Sequence, residues 1–367
     1  MKTVCKINQC NGCMACIDAC PKHCITISDN LETNNALIDT ELCINCKLCE
    51  QICPNINKIN GLNPIEWKQG WANDKVREQS SSGGAASAII KYFISFGGYV
   101  AACLFKNGQF SYDITNDLEY AKKFAGSKYV KSNPSGIYIK IQERLKTDKV
   151  LFIGLPCHVA ALKNYIKNND NLYTIDLICH GTPSVKLLDQ YLNEKGYYLK
   201  RLNDIQFRKN TDFGLWVDGK KIDKPRVMDQ YLCAFLEAIN YTENCYSCQF
   251  ASLKRVSDLT LGDSWGSKFK EEEKKGISLL LAQTKKGAEL LDHSGLELKH
   301  LDLNNAIRNN LQLIHPSKIS FKRNKFFKMI KKGYSFSLST FNAVPKLCIK
   351  QKIKKILIVF HLIKNEE

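Results

Sequence analysis

Eight cysteines near the start of the chain carry its clearest chemistry. Cys10, Cys13, Cys16 and Cys20 precede Pro21, and Cys43, Cys46, Cys49 and Cys53 precede Pro54, so one spacing is written twice. In this spacing the three close thiolates of a run hold three corners of a 4Fe-4S cube, and the fourth reaches across to the other cube. Cube one then takes Cys10, Cys13, Cys16 and Cys53, and cube two takes Cys43, Cys46, Cys49 and Cys20. A structural zinc site pairs two CxxC knuckles and has no use for a third and fourth thiolate in each run. Cys5 and Cys24 fall outside the spacing and read as packing cysteines.

Four more cysteines stand at chemically suggestive places. Cys157, in "LFIGLPCHVAAL", follows a strand-like run and opens a helix; Cys179, in "IDLICHGTPS", does the same; "ENCYSC" adds Cys245 and Cys248 as a CxxC pair. Singly, each reads as a core residue, and a lone CxxC is also a redox pair. Together they form a second kind of four-thiolate set, suited to a third cluster. Ser80, Ser81, Ser82, Gly83 and Gly84 run into the helical "AASAIIKYF". Exposed N–H groups at such a helix start suit a phosphate or a flavin edge, and a plain N-cap with glycines for the turn is the alternative.

The elements that must position these residues follow from periodicity. "ITISD" and "ALIDT", between the two cysteine runs, alternate as short strands, which gives an α+β ferredoxin-like dicluster module over residues 1–60. After "INGLNPIEW", strand-like "GGYVAACLF", "KVLFIG", "LYTIDLIC", "SDLTLGD" and "ISLLLAQT" alternate with helix-like "AASAIIKYFISF", "HVAALKNYIK", "SVKLLDQYL" and "KKGAELLDHSG". Such alternation predicts an α/β domain with a mostly parallel sheet and sites at the carboxyl ends of its strands. It divides into an N-terminal part, 66–145, and a C-terminal part, 146–315, followed by a basic tail, 316–367.

The series "SSSGGAAS", "GSKYVKS", "GLPCHVAAL", "DLICHGTPS", "ENCYSCQFA" and "RVSDLTLGDSWG" resembles the beta-subunit family of coenzyme F420 hydrogenases and dehydrogenases. The resemblance covers most of residues 1 to about 310 and rests on several motifs in the right order. It implies an FAD-dependent iron-sulfur oxidoreductase that passes electrons between clusters and a partner at the flavin. By motif, Cys157, Cys179, Cys245 and Cys248 would ligate a third 4Fe-4S cluster. Ser82, Gly83, Gly84, Gly126, Ser127 and Lys128 would line the FAD site, with Asp263 in the "LGDSWG" turn and His180 beside it. This chain has Leu155 and His158 where the family often has Thr and Gln; His158 and His180 each follow a predicted ligand and read as hydrogen-bond donors to cluster or flavin. Bacterial relatives accompany surface-polysaccharide biosynthesis, and the alternative role is a non-catalytic electron-transfer subunit of a larger redox complex.

Charge and composition set the partners. Seventeen cysteines, no apolar leader after Met1 and no apolar run approaching a membrane span lead one to expect a cytoplasmic protein that uses its thiols for metal. The net charge is +17, and Pro316 to Glu367 hold thirteen Lys or Arg against two acidic residues, a surplus of 13 − 2 = +11. The segment "KLCIKQKIKKILIVFHLIK" reads as a basic amphipathic helix, either packed on the body or in peripheral contact with the inner face of a membrane. A basic surface also steers an acidic ferredoxin- or flavodoxin-like carrier, a reduced coenzyme or a partner subunit. Nucleic acid is not expected, since no nucleic-acid-binding fold accompanies the charge.

Overall fold

The computed structural model describes residues 2–360 and 362, so Met1 of the N-terminal module and residues 361 and 363–367 of the basic tail lie outside the described residues. In the N-terminal module, strand Asn34–Ile38 pairs antiparallel with Ile25–Asp29 on one side and Lys2–Thr3 on the other. Alternation turns Ile25, Ala36 and Ile38 inward against Val4 and a cluster of cysteines. The internal repeat is structural as well as sequential. Gly12 and Met14 of the first cysteine run, and Asn45 and Lys47 of the second, all adopt positive φ, 71° and 57° against 54° and 60°. Each run therefore turns back twice in the left-handed region before a short helix, Ala15–Asp18 or Leu48–Ile52.

The larger body is built on one sheet of eight strands: β1 (Glu66–Trp71), β2 (Tyr99–Lys106), β3 (Gln109–Thr115), β4 (Val150–Gly154), β5 (Leu172–Leu177), β6 (Leu259–Asp263), β7 (Ser278–Ala282) and β8 (Glu297–His300). Their order across the sheet is β8-β1-β7-β6-β5-β4-β2-β3. The central strands β2, β4, β5 and β6 run parallel. The pairings β6–β7, β7–β1, β1–β8 and β2–β3 are antiparallel. The expectation of a mostly parallel sheet is thus met in the core and corrected at both margins. The marginal strands "EWKQGW", "QFSYDIT" and "ELKH" lack a continuous apolar run because one face of each meets solvent or helix ends, and for that reason they escape a periodicity reading.

Helices cover the sheet where apolar stripes demand it. They include α1 (Ala85–Ser95), α2 (Ile137–Arg144), α3 (Pro156–Tyr165), α4 (Val185–Glu194) and α5 (Gln230–Leu236). Ile89, Ile90 and Phe93 of α1 pack on Val100, Leu151 and Ile175, while Val159, Ala160 and Leu162 of α3 pack on Val150 and Phe152. The tail continues as α6 (Phe321–Lys331), α7 (Phe336–Ala343) and α8 (Pro345–Val359). Phe326, Phe327, Ile330 and Phe336 are buried against Leu188, Tyr191 and Tyr231, so the tail is anchored to the body by its aromatic residues. Among the described residues no helix is long and apolar enough to cross a membrane.

The N-terminal module is docked on this body by directed contacts. Tyr138 Oη donates to the Cys13 carbonyl at 2.6 Å, and both Asp18 carboxylate oxygens accept from the Gly136 N–H, at 2.8 and 2.9 Å. Asn164 Nδ2 and Gln249 Nε2 donate to the Asn57 and Pro54 carbonyls, each at 2.7 Å. Ala15 and Ile52 are buried in the same apolar cluster as Tyr138, Phe152 and Val159.

Candidate metal centres

Two cavities in the N-terminal module follow the cysteine runs. One, with about 310 Å³ of space, is lined by Cys10, Cys13, Cys16 and Cys53, together with Cys5, Asn11 and Asn55. The other, with about 330 Å³, is lined by Cys43, Cys46, Cys49 and Cys20, together with Cys24 and an apolar rim of Ile25, Ile38, Ile44 and Leu48. The fourth cysteine of each run thus stands beside the other run's three. Cys5 and Cys24, read from spacing as packing residues, line these cavities; the Cys24 sulfur lies 3.4 Å from that of Cys20. Among the described residues no three or more His, Cys, Asp or Glu side chains converge on a point where a single ion would sit.

Burial raises the Cys13 thiol to about 12, with Cys10 adding to the effect, and burial likewise pushes Cys16 up. Thiols so disfavoured as bare thiolates are stabilised as anions by metal coordination. The first cavity faces inward, whereas Cys46 of the second is exposed between Ile44 and Leu48, themselves 57% and 39% exposed.

The later four cysteines come from separate elements. Cys157 begins α3 directly after β4, and Cys179 follows β5, so two adjacent parallel strands deliver them at their carboxyl ends. A short helical turn over Glu243–Ser247 carries Cys245, with Cys248 at its end. Burial pushes the Cys157 thiol well up, and Cys248, Cys179 and Cys13 push it further; Cys179 rises to about 12 from burial and from Cys245 and Cys248. The four therefore share one neighbourhood, and Cys13 of the first cavity adjoins it. Polar hydrogens surround Cys245: the Thr182 N–H at 3.4 Å, and Asn244 Nδ2 at 3.7 Å. Arg255 ties this loop to the sheet. Its guanidinium donates to Asp176 Oδ1 at 2.8 Å, to the Phe250 carbonyl at 2.8 Å and to the Leu177 carbonyl at 3.1 Å.

The predicted flavin residues gather at the same end of the sheet, with different tasks. The Ser127 N–H donates to Ser81 Oγ at 2.8 Å, joining the two loops. Ser82 Oγ donates to the Ile277 carbonyl at 3.0 Å. A Cβ on Gly83 would lie 2.6 Å from Ser278 N and 2.7 Å from the Gly70 carbonyl oxygen, so this glycine serves the approach of the loop to β1 and β7. Gly84, at φ 79°, starts α1 without a side-chain cap, and Gly126, at φ 85°, borders open space. Lys128 Nζ donates to the Phe124 and Ala125 carbonyls, at 2.8 and 2.7 Å, and burial lowers its ammonium to about 8. Asp263, at the end of β6, accepts both Nη groups of Arg208, at 2.7 and 3.0 Å. Arg208 also lies over the Trp265 ring, 5.2 Å from its centroid. His180 is exposed, its carbonyl accepting from Ser317 Oγ at 3.0 Å. His158 is buried instead, its Nδ1 3.0 Å from Tyr112 Oη, and burial, with Lys131 second, lowers it to about 3, so it is neutral.

The paired cysteine runs and the cavities they line define an iron-sulfur module seated on an α/β body. Residues 147–305 match the family described as the C terminus of the coenzyme F420 hydrogenase/dehydrogenase beta subunit, and residues 9–56 match the 4Fe-4S dicluster domain. Residues 147–305 are thus similar to the C terminus of the coenzyme F420 hydrogenase/dehydrogenase beta subunit, and residues 9–56 form a dicluster 4Fe-4S module at the N-terminal side. It is 24% identical over 234 residues to the uncharacterized protein MJ1349 of Methanocaldococcus jannaschii, covering 52% of this chain and 64% of that protein's length. It is 39% identical over 54 residues to an uncharacterized protein of the rpl9-rpl11 intergenic region of Porphyra purpurea, 14% of this chain and 72% of the other. A chain of the F420-reducing NiFe hydrogenase complex from Methanosarcina barkeri overlays with a TM-score of 0.48 and 19% identity, over 68% of this chain and 89% of that one.

Proposed function

We propose that this chain is an FAD-dependent iron-sulfur oxidoreductase with three 4Fe-4S clusters. Cys10, Cys13, Cys16 and Cys53 would hold the first, Cys43, Cys46, Cys49 and Cys20 the second, and Cys157, Cys179, Cys245 and Cys248 the third. The observation that carries the reading is the succession of sulfur sets. The cavity with the exposed ligand stands beside one whose ligands are buried, and Cys13 of the latter shares an apolar cluster with Cys157 and Cys248 of the later four thiols. Such a series supports electron transfer from the surface to the end of the sheet where Gly84, Gly126 and Ser127 would admit FAD. The cofactors supply the redox chemistry; the protein supplies positions, burial and hydrogen bonds.

Anaerobic reconstitution followed by iron and flavin analysis tests the reading. About twelve irons and one FAD per chain are expected from three cubes. About eight irons without flavin would overturn it, since two cubes alone make a carrier.

The apolar rim of the second cavity favours a docking partner, an acidic ferredoxin- or flavodoxin-like carrier or a partner subunit, over direct reduction by a small molecule. Turnover by the isolated protein distinguishes an enzyme from a non-catalytic subunit. Oxidation of reduced coenzyme F420, of NAD(P)H or of ferredoxin against sugar or lipid-linked acceptors of surface-polysaccharide assembly is the assay; activity only after a partner is added favours the subunit. We also place the protein peripherally at an anionic membrane surface. Ile349, Ile353, Ile356 and Phe360 are exposed along one side of α8 and just beyond it, and Lys346, Lys350 and Lys352 flank them.

A further inference from the structure

Lys131 is a buried lysine without a carboxylate. It is 7% exposed, its Nζ donates to the Asn11 carbonyl at 3.1 Å, and among the described residues no ion pair accounts for its charge. Its own backbone is held where it lies, since the Lys131 N–H donates to the Pro183 carbonyl at 2.9 Å. Burying an ammonium without a counter-charge is unfavourable, and buried charges are as a rule paired or bound to ions. The anion this lysine answers must therefore come from something other than a carboxylate.

The surroundings supply it. Lys131 bridges the two sulfur sets: its Nζ is held on the Asn11 carbonyl, next to Cys10, and its N–H on the Pro183 carbonyl, next to Thr182, whose own N–H lies 3.4 Å from Cys245 Sγ. A Cβ on Gly12, between Cys10 and Cys13, would come within 3.1 Å of Lys131 Cδ, so the absent side chain there gives the lysine its room. A second link runs in parallel. Asn11 Oδ1 accepts from Asn244 Nδ2 at 3.2 Å, and Asn244 Nδ2 lies 3.7 Å from Cys245 Sγ. Asn11 Nδ2 in turn donates to Asn55 Oδ1 at 3.0 Å, within the wall of the first cavity.

We propose that Lys131 is the shared counter-cation of the first and third clusters, raising the reduction potentials of both together. The inference rests on the cluster assignments proposed above. A cube held by four thiolates is anionic and gains one more negative charge on reduction, so a fixed neighbouring cation favours the reduced form. One cation placed between two cubes moves both potentials the same way and keeps the step between them small. The second cluster, whose cavity Lys131 does not line, should respond far less.

The test is a redox titration of the reconstituted full chain, followed by electron paramagnetic resonance, with Lys131→Met and Lys131→Arg. In Lys131→Met the first and third clusters should be about tenfold less reduced at a given potential, which for a one-electron couple is a midpoint lowered by about 59 mV. The second cluster should move far less, and Lys131→Arg should stay near wild type in all three. If Lys131→Met loads iron poorly, Lys131→Gln, which removes the charge and keeps a donor near the Asn11 carbonyl, should lower the same two midpoints. Unmoved midpoints, a shift in one cluster only, or an equal shift in all three would overturn the proposal. Iron content separates this from the underlying assignment: about eight irons in the wild type would remove the third cluster, and with it the shared role, whereas about twelve irons with unmoved midpoints would remove the role of Lys131 alone.

Discussion

At the scale of single residues, the pairing of cysteines across the two runs makes the sharpest prediction. Cys20 lines the cavity of Cys43, Cys46 and Cys49, although it is four residues from Cys16 in sequence. Cys20→Ala should therefore spare the buried cube and deplete the exposed one, and Cys53→Ala should do the reverse. Anaerobic spectra of the two variants distinguish the cubes by oxygen sensitivity, because only the second has an exposed ligand. If both variants lost the same cube, the crossing would be refuted. Lys128 makes a prediction in pH. Its folded value, about 8, lies below the ordinary lysine value of 10.5. Between these pH values the unfolded chain keeps a proton that the folded chain has released, so this residue makes stability rise with pH across that window. The slope is at most about 1.4 kcal/mol per pH unit for one proton. Lys128→Met should flatten that rise in denaturant unfolding measured from pH 8 to 10; an unchanged slope would mean that Lys128 titrates as an ordinary surface lysine.

At the scale of elements, a buried ion pair ties the loop bearing Cys245 and Cys248 to the sheet. Arg255 and Asp176 are 2% and 0% exposed, and the Thr260 hydroxyl is the other donor to Asp176 Oδ1, at 2.8 Å. Arg255→Met removes the cation and leaves the carboxylate buried, which costs about 3–5 kcal/mol. The unfolding midpoint should fall accordingly, and iron should fall by about four per chain as the loop loosens. Loss of stability with iron intact would show that the loop holds its place without the pair. The same scale shows what periodicity could and could not reveal. The central strands β2, β4, β5, β6 and β7 and helices α1, α3 and α4 were legible because each buries a continuous apolar run or stripe. The antiparallel margins were not, because half their residues are polar and only pairing defines them. The eight cysteines of the two runs stand out as a repeated spacing, whereas Cys157, Cys179, Cys245 and Cys248 do so only as places after strand-like runs, as a lone CxxC and by resemblance. Lys131, Asn11 and Asn244 do not stand out, since an ordinary lysine and two asparagines gain meaning only when segments more than a hundred residues apart meet. Gly83 is the converse case: a glycine beside a helix start suggested ligand, yet the backbone of β7 fills the space its side chain would need.

At the scale of the whole molecule, charge and exposed apolar surface are concentrated at the tail. Phe326 and Phe327 of α6 and Phe336 of α7 are spent on the core, but α8 buries chiefly Cys348 and Ile358 and leaves Ile349, Ile353, Ile356 and Val359 about half exposed. An apolar stripe between lysines is the pattern of a helix lying in the interface of an anionic bilayer, where each lysine near the surface adds about 1 kcal/mol. The protein should float with liposomes containing phosphatidylserine and much less with neutral ones, and binding should weaken with salt. Replacing Ile349, Ile353 and Ile356 by Ser changes only exposed positions, so the fold and the iron content should persist while flotation is lost. Equal flotation of the wild type and this variant would remove α8 from membrane contact. Flotation that persists on neutral liposomes would show that apolar burial alone carries it.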